Sequence, residues 1–192
     1  MTRTLKIALC VLMMVCGYTH AADVEGMRVE EKISLANGTQ LVLNGAGVRH
    51  KLIFKLYVGA LYLPVKSTSA EDILKDTGAK RVAMFVLADE ISAKDLVASM
   101  NHSLAANHIP MELALIEARL RDLNEMMLKT GELKKGTVVT LTYVPAIGTQ
   151  ILINSEVKLV IKGEDFFRAL LRIWIGAKPV DGRLRDAMLG AK

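Results

Sequence analysis

Apolar and polar residues alternate over residues 27–47, on both sides of Asn37-Gly38. This period of two predicts strands with one buried face, and Asn-Gly accepts the positive φ angles of a two-residue type I′ turn. The following segment, residues 50–63, is mostly apolar, contains aromatic residues and ends at Pro64, which is typical of a strand. We therefore predict a β-hairpin at Asn37-Gly38 and one long strand over residues 50–63.

Helices are indicated by a period near 3.6 and by residues that begin a helix. Ser69 and Ser92 are suitable N-caps, and Pro110 suits the first position of a helix. In the segment after Pro110, apolar residues recur at helical spacing with charged residues between them. The predicted helices span residues 67–76, 92–107, 110–129, 164–176 and 181–189.

Further apolar runs predict strands over residues 80–89, 136–145, 149–155 and 156–162. The order along the chain is strands, helices, strands and helices, which differs from regular βαβ alternation. This order predicts an α+β fold, with an antiparallel sheet and helices layered on one of its faces.

Residues 1–21 have the features of a secretory signal peptide. Arg3 and Lys6 precede a nine-residue apolar run, and small residues follow it. The run is shorter than the roughly 20 residues that span a bilayer, which disfavours the alternative of a membrane anchor. We expect cleavage after Ala21 or Ala22, and a secreted protein in a periplasm-like compartment without a transmembrane anchor.

The remaining residues, 22–192, are short enough for one domain. Both cysteines, Cys10 and Cys16, lie in the predicted signal, so the mature chain can form no disulfide and has no thiol nucleophile. The formal net charge is +5, with 52% hydrophobic residues. The basic residues are scattered along the chain, whereas nucleic-acid binding needs a basic stripe or a known module. We therefore expect no nucleic-acid partner.

Metal binding is also disfavoured by the sequence. His50, His102 and His108 do not have the spacing of metal ligands. No cofactor, metal site or catalytic residue is predicted from these positions, and the sequence does not predict an oligomeric state.

Two segments carry a resemblance to a known family. GAGVR and KLYVGALYLP, within residues 45–64, are similar to the G-x-G-x-R segment and the following strand of the chalcone isomerase family. Near the other end, EVKLVIKGEDFFRALLRIWIGAKPVDGRLRDAML resembles the family's strand, glycine, helix and W-x-G-x-x-P-V ending. The resemblance implies an open-faced β-sandwich with a ligand cleft between the sheet and the helices.

The family contains isomerases and non-catalytic relatives, some of which bind fatty acids. In the isomerases a threonine after the motif arginine polarises the substrate ketone, and this chain has Tyr57 at the matching position, as the fatty-acid-binding relatives do. The isomerases also carry a tyrosine near the start of a later helix, but no tyrosine occurs between Tyr62 and Tyr143. The resemblance therefore implies a member that binds a hydrophobic carboxylate, such as a fatty acid, without catalysis. Because residues 1–21 are similar to bacterial signal peptides, we expect this member to be bacterial and secreted.

Arg49 and Tyr57 are the predicted ligand-binding residues. Arginine holds a carboxylate through two parallel hydrogen bonds, and tyrosine adds a neutral donor. In an unbroken strand the two residues would lie about 26 Å apart, so they can meet only if the chain turns sharply near Arg49, for example at His50-Lys51. Gly45 and Gly47 would permit unusual backbone there. Otherwise Arg49 pairs with a surface acid and Tyr57 is a packing residue.

Two other functions stay open. The protein could be an isomerase or lyase for an unknown small molecule, with Tyr57 as the acid. It could also be a structural or interaction module whose own side chains fill the cleft. A pocket smaller than about 300 Å³ would favour such a module, whereas Arg49 and Tyr57 side by side in a pocket would favour ligand binding.

Overall fold

The computed structural model describes residues 21–190. The predicted signal peptide therefore lies outside the described residues except for Ala21, which belongs to the first strand. In chain order the elements are β1 (Ala21–Val24), β2 (Met27–Glu30), β3 (Lys32–Ser34), β4 (Gln40–Lys51), β5 (Phe54–Leu63), α1 (Ala70–Lys75), β6 (Lys80–Val86), β7 (Glu90–Ser92), α2 (Ala93–Asn107), α3 (Pro110–Thr130), β8 (Glu132–Lys134), β9 (Val138–Val144), β10 (Gly148–Ile153), β11 (Glu156–Ile161), α4 (Glu164–Ile175) and α5 (Gly182–Met188).

One antiparallel sheet of seven strands organises the described residues, in the order β11-β10-β9-β6-β5-β4-β3. The helices pack on one face, where side chains such as Leu61 and Ile151 form a single core with the apolar side of α4. A smaller cluster around Val58 and Tyr62 lies on the other face, next to the β1–β2 hairpin. The predicted α+β fold, an antiparallel sheet with a layer of helices, is confirmed.

The predicted helices are present, and their first residues follow from local hydrogen bonds. The Ser69 hydroxyl accepts a hydrogen bond from the Asp72 amide at 3.2 Å and begins α1. The Ser92 hydroxyl accepts from the Asp95 amide at 3.0 Å and begins α2. Helix α3 begins at Pro110, as predicted. None of the helices among residues 21–190 is long and apolar enough to cross a membrane.

The hairpin at Asn37-Gly38 is confirmed, but the predicted type I′ turn is wrong. Only Gly38 of the pair has a positive φ, at 84°. The Leu35 amide donates to the Thr39 carbonyl at 2.8 Å, and the Gly38 amide donates to the Leu35 carbonyl at 2.8 Å. This pattern is a three-residue loop with a left-handed glycine at its end, which needs only one positive φ. The short β1–β2 and β7–β8 ladders are present without having been predicted.

Helix α5 packs closely against β4. A Cβ atom built on Gly45 would lie 2.0 Å from the Ala187 carbonyl oxygen, and one on Gly47 would lie 2.6 Å from the Ala187 Cβ. The Asn44 side-chain amide donates to the Met188 carbonyl at 2.8 Å. Neither glycine has a positive φ, although the register of the β4–β5 ladder shifts between Leu43 and Gly45. The lack of a side chain at both glycines allows the helix to approach the sheet.

Candidate functional site

The β4–β5 hairpin places Arg49 directly opposite Tyr57 in the sheet. The chain turns at Leu52-Ile53, where Leu52 has a φ of 57°. The predicted single strand over residues 50–63 is therefore wrong at its start, because that segment contains the end of β4, a turn and β5. A sharp turn near Arg49 does exist, although it lies beyond the proposed His50-Lys51 position. The two side chains consequently share one face of the sheet as cross-strand neighbours.

The Arg49 guanidinium lies over an aromatic ring and has weak polar partners. Its Cζ atom is 5.8 Å from the centroid of the Tyr57 ring, within the range of a cation–π contact. Its Nη1 and Nη2 atoms lie 3.4 and 3.3 Å from the Ser99 hydroxyl oxygen on α2. Its Nε is buried without a partner. No acid among residues 21–190 forms an ion pair with Arg49, so the alternative of a surface ion pair is wrong.

The Tyr57 ring is buried, with 2% of its surface exposed. Its hydroxyl oxygen accepts a hydrogen bond from the Trp174 indole nitrogen on α4 at 3.0 Å. Burial raises the pKa of the Tyr57 hydroxyl above its ordinary value, although the charge of Arg49 and the bond from Trp174 oppose that rise. Tyr57 is therefore neutral at physiological pH, and its own proton remains available for a hydrogen bond.

Arg49, Ser99 and Tyr57 line a small cavity between the sheet and the helices. The rest of the lining is apolar apart from the Trp174 indole, and comes from β6, β9, β10, α2, α3 and α4. Three methionines contribute to it, Met84, Met100 and Met127. The cavity volume is about 50 Å³, whereas ligand sites typically measure about 300–1,000 Å³. As it stands the cavity admits one or two water molecules.

The cavity volume and the position of Arg49 beside Tyr57 favour different functions. The small volume favours a cleft filled by its own side chains, while the adjacency of Arg49 and Tyr57 in one lining favours binding. The lining contains no carboxylate, histidine or cysteine. Within residues 21–190, no three of the residue types that hold metals cluster together either.

The family model described as chalcone isomerase-like matches residues 21–190. The chain belongs to the chalcone isomerase-like family. Among solved structures, the crystal structure of a fatty-acid binding protein from Arabidopsis thaliana is similar to this family member, with a TM-score of 0.60 and 13% sequence identity. The match covers 83% of this chain and 96% of the plant chain. At that identity the likeness shows the fold alone. No curated protein matches the sequence.

Two residues of this chalcone isomerase-like site were not predicted as site residues. Ser99 is a short polar residue on α2, three positions after Leu96 and next to Met100, both of which also line the cavity. Its place between apolar residues on the inner face of the helix, which also carries the buried Ser103, is the signal that could have identified it. Trp174 is also absent from the predicted site, since a single tryptophan gives no sequence signal for its bond to Tyr57.

Proposed function

We propose that this protein binds a hydrophobic carboxylate, such as a fatty acid, without turning it over. The carboxylate would lie between Arg49 and the hydroxyls of Ser99 and Tyr57, and its alkyl chain would enter the methionine-lined cavity. One observation carries the proposal. A guanidinium with no acidic partner among the described residues and a buried, unpartnered Nε lies at an apolar cavity.

The chemistry of Arg49 supports a carboxylate as the polar group. A partly buried cation without a counterion is costly, because it has lost water without gaining a charged partner. A carboxylate would supply two charge-assisted hydrogen bonds, which are roughly twice as strong as neutral ones. The contacts to Ser99, at 3.3 and 3.4 Å, are long, so a ligand could replace them at little cost.

The cavity must widen to admit an acyl chain, since its present volume is about 50 Å³. Methionine side chains are flexible and readily repack, and Met84, Met100 and Met127 together line the space. Each buried methylene of a ligand contributes about 0.8 kcal/mol. A chain of more than ten carbons would therefore offset the cost of moving several side chains.

Binding without catalysis is supported by the composition of the lining. Proton abstraction next to a carbonyl needs a base within hydrogen-bond reach of the substrate. The lining offers no carboxylate or histidine, and the raised pKa of Tyr57 keeps that hydroxyl from acting as a base at neutral pH.

Secretion to a periplasm-like compartment is part of the same proposal. It is supported by the charged start, the short apolar run and the small residues that precede Asp23. Intact-mass measurement of the protein isolated from the producing cells tests it. A chain that begins at Ala22 or Asp23 is expected, and a chain that keeps residues 1–21 would refute the prediction.

A specific observation favours one alternative, the non-binding module. The cavity is small, and the Trp174 N–H already has an acceptor in the Tyr57 hydroxyl. In that case the cleft is closed by its own side chains, and Arg49 stabilises the sheet through its contact with the Tyr57 ring.

Titration with oleate and with methyl oleate separates these functions, with the emission of Trp174 as the signal. The two ligands share the alkyl chain, and only oleate carries a charge for Arg49. Hydrogen bonds to a charged group contribute about 1.5–3 kcal/mol. We therefore expect oleate to bind about 10–100-fold more tightly than its ester, and Arg49→Gln to remove that preference.

The matched control is Arg121→Gln, which changes an exposed arginine on α3 and should leave both affinities unchanged. A preference for oleate that survives Arg49→Gln would place the carboxylate elsewhere. If neither ligand binds to the wild-type protein, and native mass spectrometry shows no bound acyl compound, the non-binding module is the correct function.

A further inference from the structure

The turn between β4 and β5 carries three consecutive apolar residues that face solvent. Leu52 is 89% exposed, Ile53 is 86% exposed and Phe54 is 64% exposed. Single exposed apolar side chains are common on protein surfaces, but a contiguous set usually marks a contact with a partner or a membrane. We define residues 52–54 as the apolar tip.

The exposed side chains of the apolar tip do not contribute to the stability of the fold. Leu52 has a φ of 57°, a left-handed conformation that disfavours side chains other than glycine and asparagine. Hairpin turns with positive φ usually contain these two residues. A leucine there is both strained and exposed, so its side chain costs stability without contributing to the core.

The apolar tip projects beyond its neighbours in the sheet. Strand β6 pairs with β5 only from Tyr57 onward, and β3 pairs with β4 only as far as Val42. The hairpin end therefore has no strand beside it on either edge. A projection of three side chains offers little area, whereas a stable protein interface needs about 800 Å² from each partner.

Basic side chains surround the apolar tip. Lys51 precedes it and is exposed, and Lys55 follows it with half of its side chain exposed. Lys51 pairs across the hairpin with Phe54, and His50 pairs with Lys55. Two acids lie near this end: the Glu25 carboxylate is 2.7 Å from the Lys55 ammonium, and the Asp181 carboxylate accepts a hydrogen bond from the His50 amide at 2.9 Å. Lysines beside an apolar protrusion complement anionic headgroups above an acyl layer.

From these observations we propose that the apolar tip docks the protein on an anionic lipid surface. Leu52, Ile53 and Phe54 enter the interface between headgroups and acyl chains, and Lys51 contacts the headgroups. A bilayer accepts a small convex apolar projection without a matching groove, which distinguishes it from a protein partner.

Docking would also bring the candidate site to the membrane surface. Arg49 lies two residues before Lys51, or about 7 Å along the strand. Docking does not rest on the proposed function, because it uses residues 51–54 and needs no ligand in the cavity. Vesicle binding by the Arg49→Gln variant therefore reports on docking alone, and oleate binding without vesicles reports on the site alone.

The test is vesicle flotation with the purified protein, using vesicles of phosphatidylcholine alone and of equimolar phosphatidylcholine and phosphatidylglycerol. The decisive variant combines Leu52→Asn, Ile53→Ser and Phe54→Thr. Asparagine suits the positive φ and threonine suits a strand end, so thermal unfolding should show no loss of stability. All proteins keep the same N-terminus, and differences between them therefore arise at the changed positions.

We expect the wild-type protein to bind the anionic vesicles, and the triple variant to bind at least about tenfold more weakly. Lys51→Gln should weaken binding to anionic vesicles about fivefold and leave binding to neutral vesicles unchanged. The control is Leu115→Gln, which removes an apolar side chain on α3 that is 74% exposed, and should bind like the wild type.

The depth of insertion gives an independent readout. Phe54→Trp adds a reporter to a chain whose single tryptophan, Trp174, is buried and provides a constant background. A blue shift of the added emission on anionic vesicles supports docking. Equal flotation of the wild type and the triple variant would overturn the proposal. The proposal would also be overturned if the wild-type protein does not bind vesicles but self-associates through the apolar tip, because the partner would then be a second copy.

Discussion

The close contact between β4 and α5 predicts a graded series of glycine-to-alanine effects. Gly45→Ala places a methyl group 2.0 Å from the Ala187 carbonyl oxygen, an atom that cannot rotate away. Gly47→Ala places one 2.6 Å from the Ala187 methyl group, and Gly59→Ala places one 3.2 Å from a Leu184 methyl group. Only the last neighbour is a flexible side chain, so the loss of stability should fall in the order Gly45, Gly47, Gly59.

The loss of stability in Gly45→Ala can be worked from the contacts that α5 loses when the new methyl group pushes it away from β4. Leu184 and Met188 are both 0% exposed, and burying such side chains contributes about 1.5–3 kcal/mol each. A gap of 0.5–1 Å removes about a quarter to a half of the contact energy. With the weakened bond from Asn44 to the Met188 carbonyl (about 1 kcal/mol), Gly45→Ala should cost about 3 kcal/mol. Gly59→Ala should cost less than about 1 kcal/mol.

Equilibrium unfolding in urea, followed by the emission of Trp174, measures the series. Ala187→Gly tests this explanation. It removes the methyl group that clashes with the new side chain in Gly47→Ala, but it keeps the carbonyl oxygen that clashes in Gly45→Ala. The double mutant with Gly47→Ala should therefore show favourable coupling, and the double mutant with Gly45→Ala should show none. Equal losses at all three glycines, or rescue of Gly45→Ala, would refute the close-approach explanation.

Three further predictions concern individual side-chain contacts. Tyr57→Phe leaves the buried Trp174 N–H unpaired and should lower the free energy of unfolding by about 1–3 kcal/mol, whereas an unchanged urea midpoint would show that this bond contributes nothing. Asp165→Asn weakens a pair in which the Arg119 guanidinium donates to both carboxylate oxygens, at 2.8 and 2.6 Å. These hydrogen bonds lower the pKa of Asp165, so a gain of about 1 kcal/mol at neutral pH should decline progressively as the pH falls below about 4. A difference that persists unchanged in strong acid would contradict this cause. Ser92→Ala removes the cap of α2 and should cost about 1 kcal/mol in the same urea assay, while Ser92→Asp should retain most of the stability.

The helices could be predicted from the sequence because their signals are local. Ser69, Ser92 and Pro110 each determine the first turn that follows, and no distant residue is needed for that choice. The β4–β5 turn could not be predicted, since Leu52-Ile53 contains none of the residues that favour turns. Its position follows from the register of β4 against β5, and its apolar side chains are explained by docking better than by folding.

The candidate site was predicted in part for the same physical reason. Arg49 and Tyr57 are close in sequence, and the family resemblance identified both. Ser99 is 50 residues from Arg49, and Trp174 is 117 residues from Tyr57. Contacts over such separations depend on how α2 and α4 pack against the sheet, which the periodicity of each helix does not specify.

The position of α5 makes the site depend on the last residues of the chain. Asn44 and Met188 are 144 residues apart, and the Asp181 carboxylate that begins α5 accepts a hydrogen bond from the His50 amide at 2.9 Å, beside Arg49. Strand β4 therefore lacks its last support until almost the whole chain is available for folding. A chain shortened by ten residues, whether by a premature stop codon or by a protease, would keep Arg49 and Tyr57 in its sequence and lose the helix that holds their strand in place.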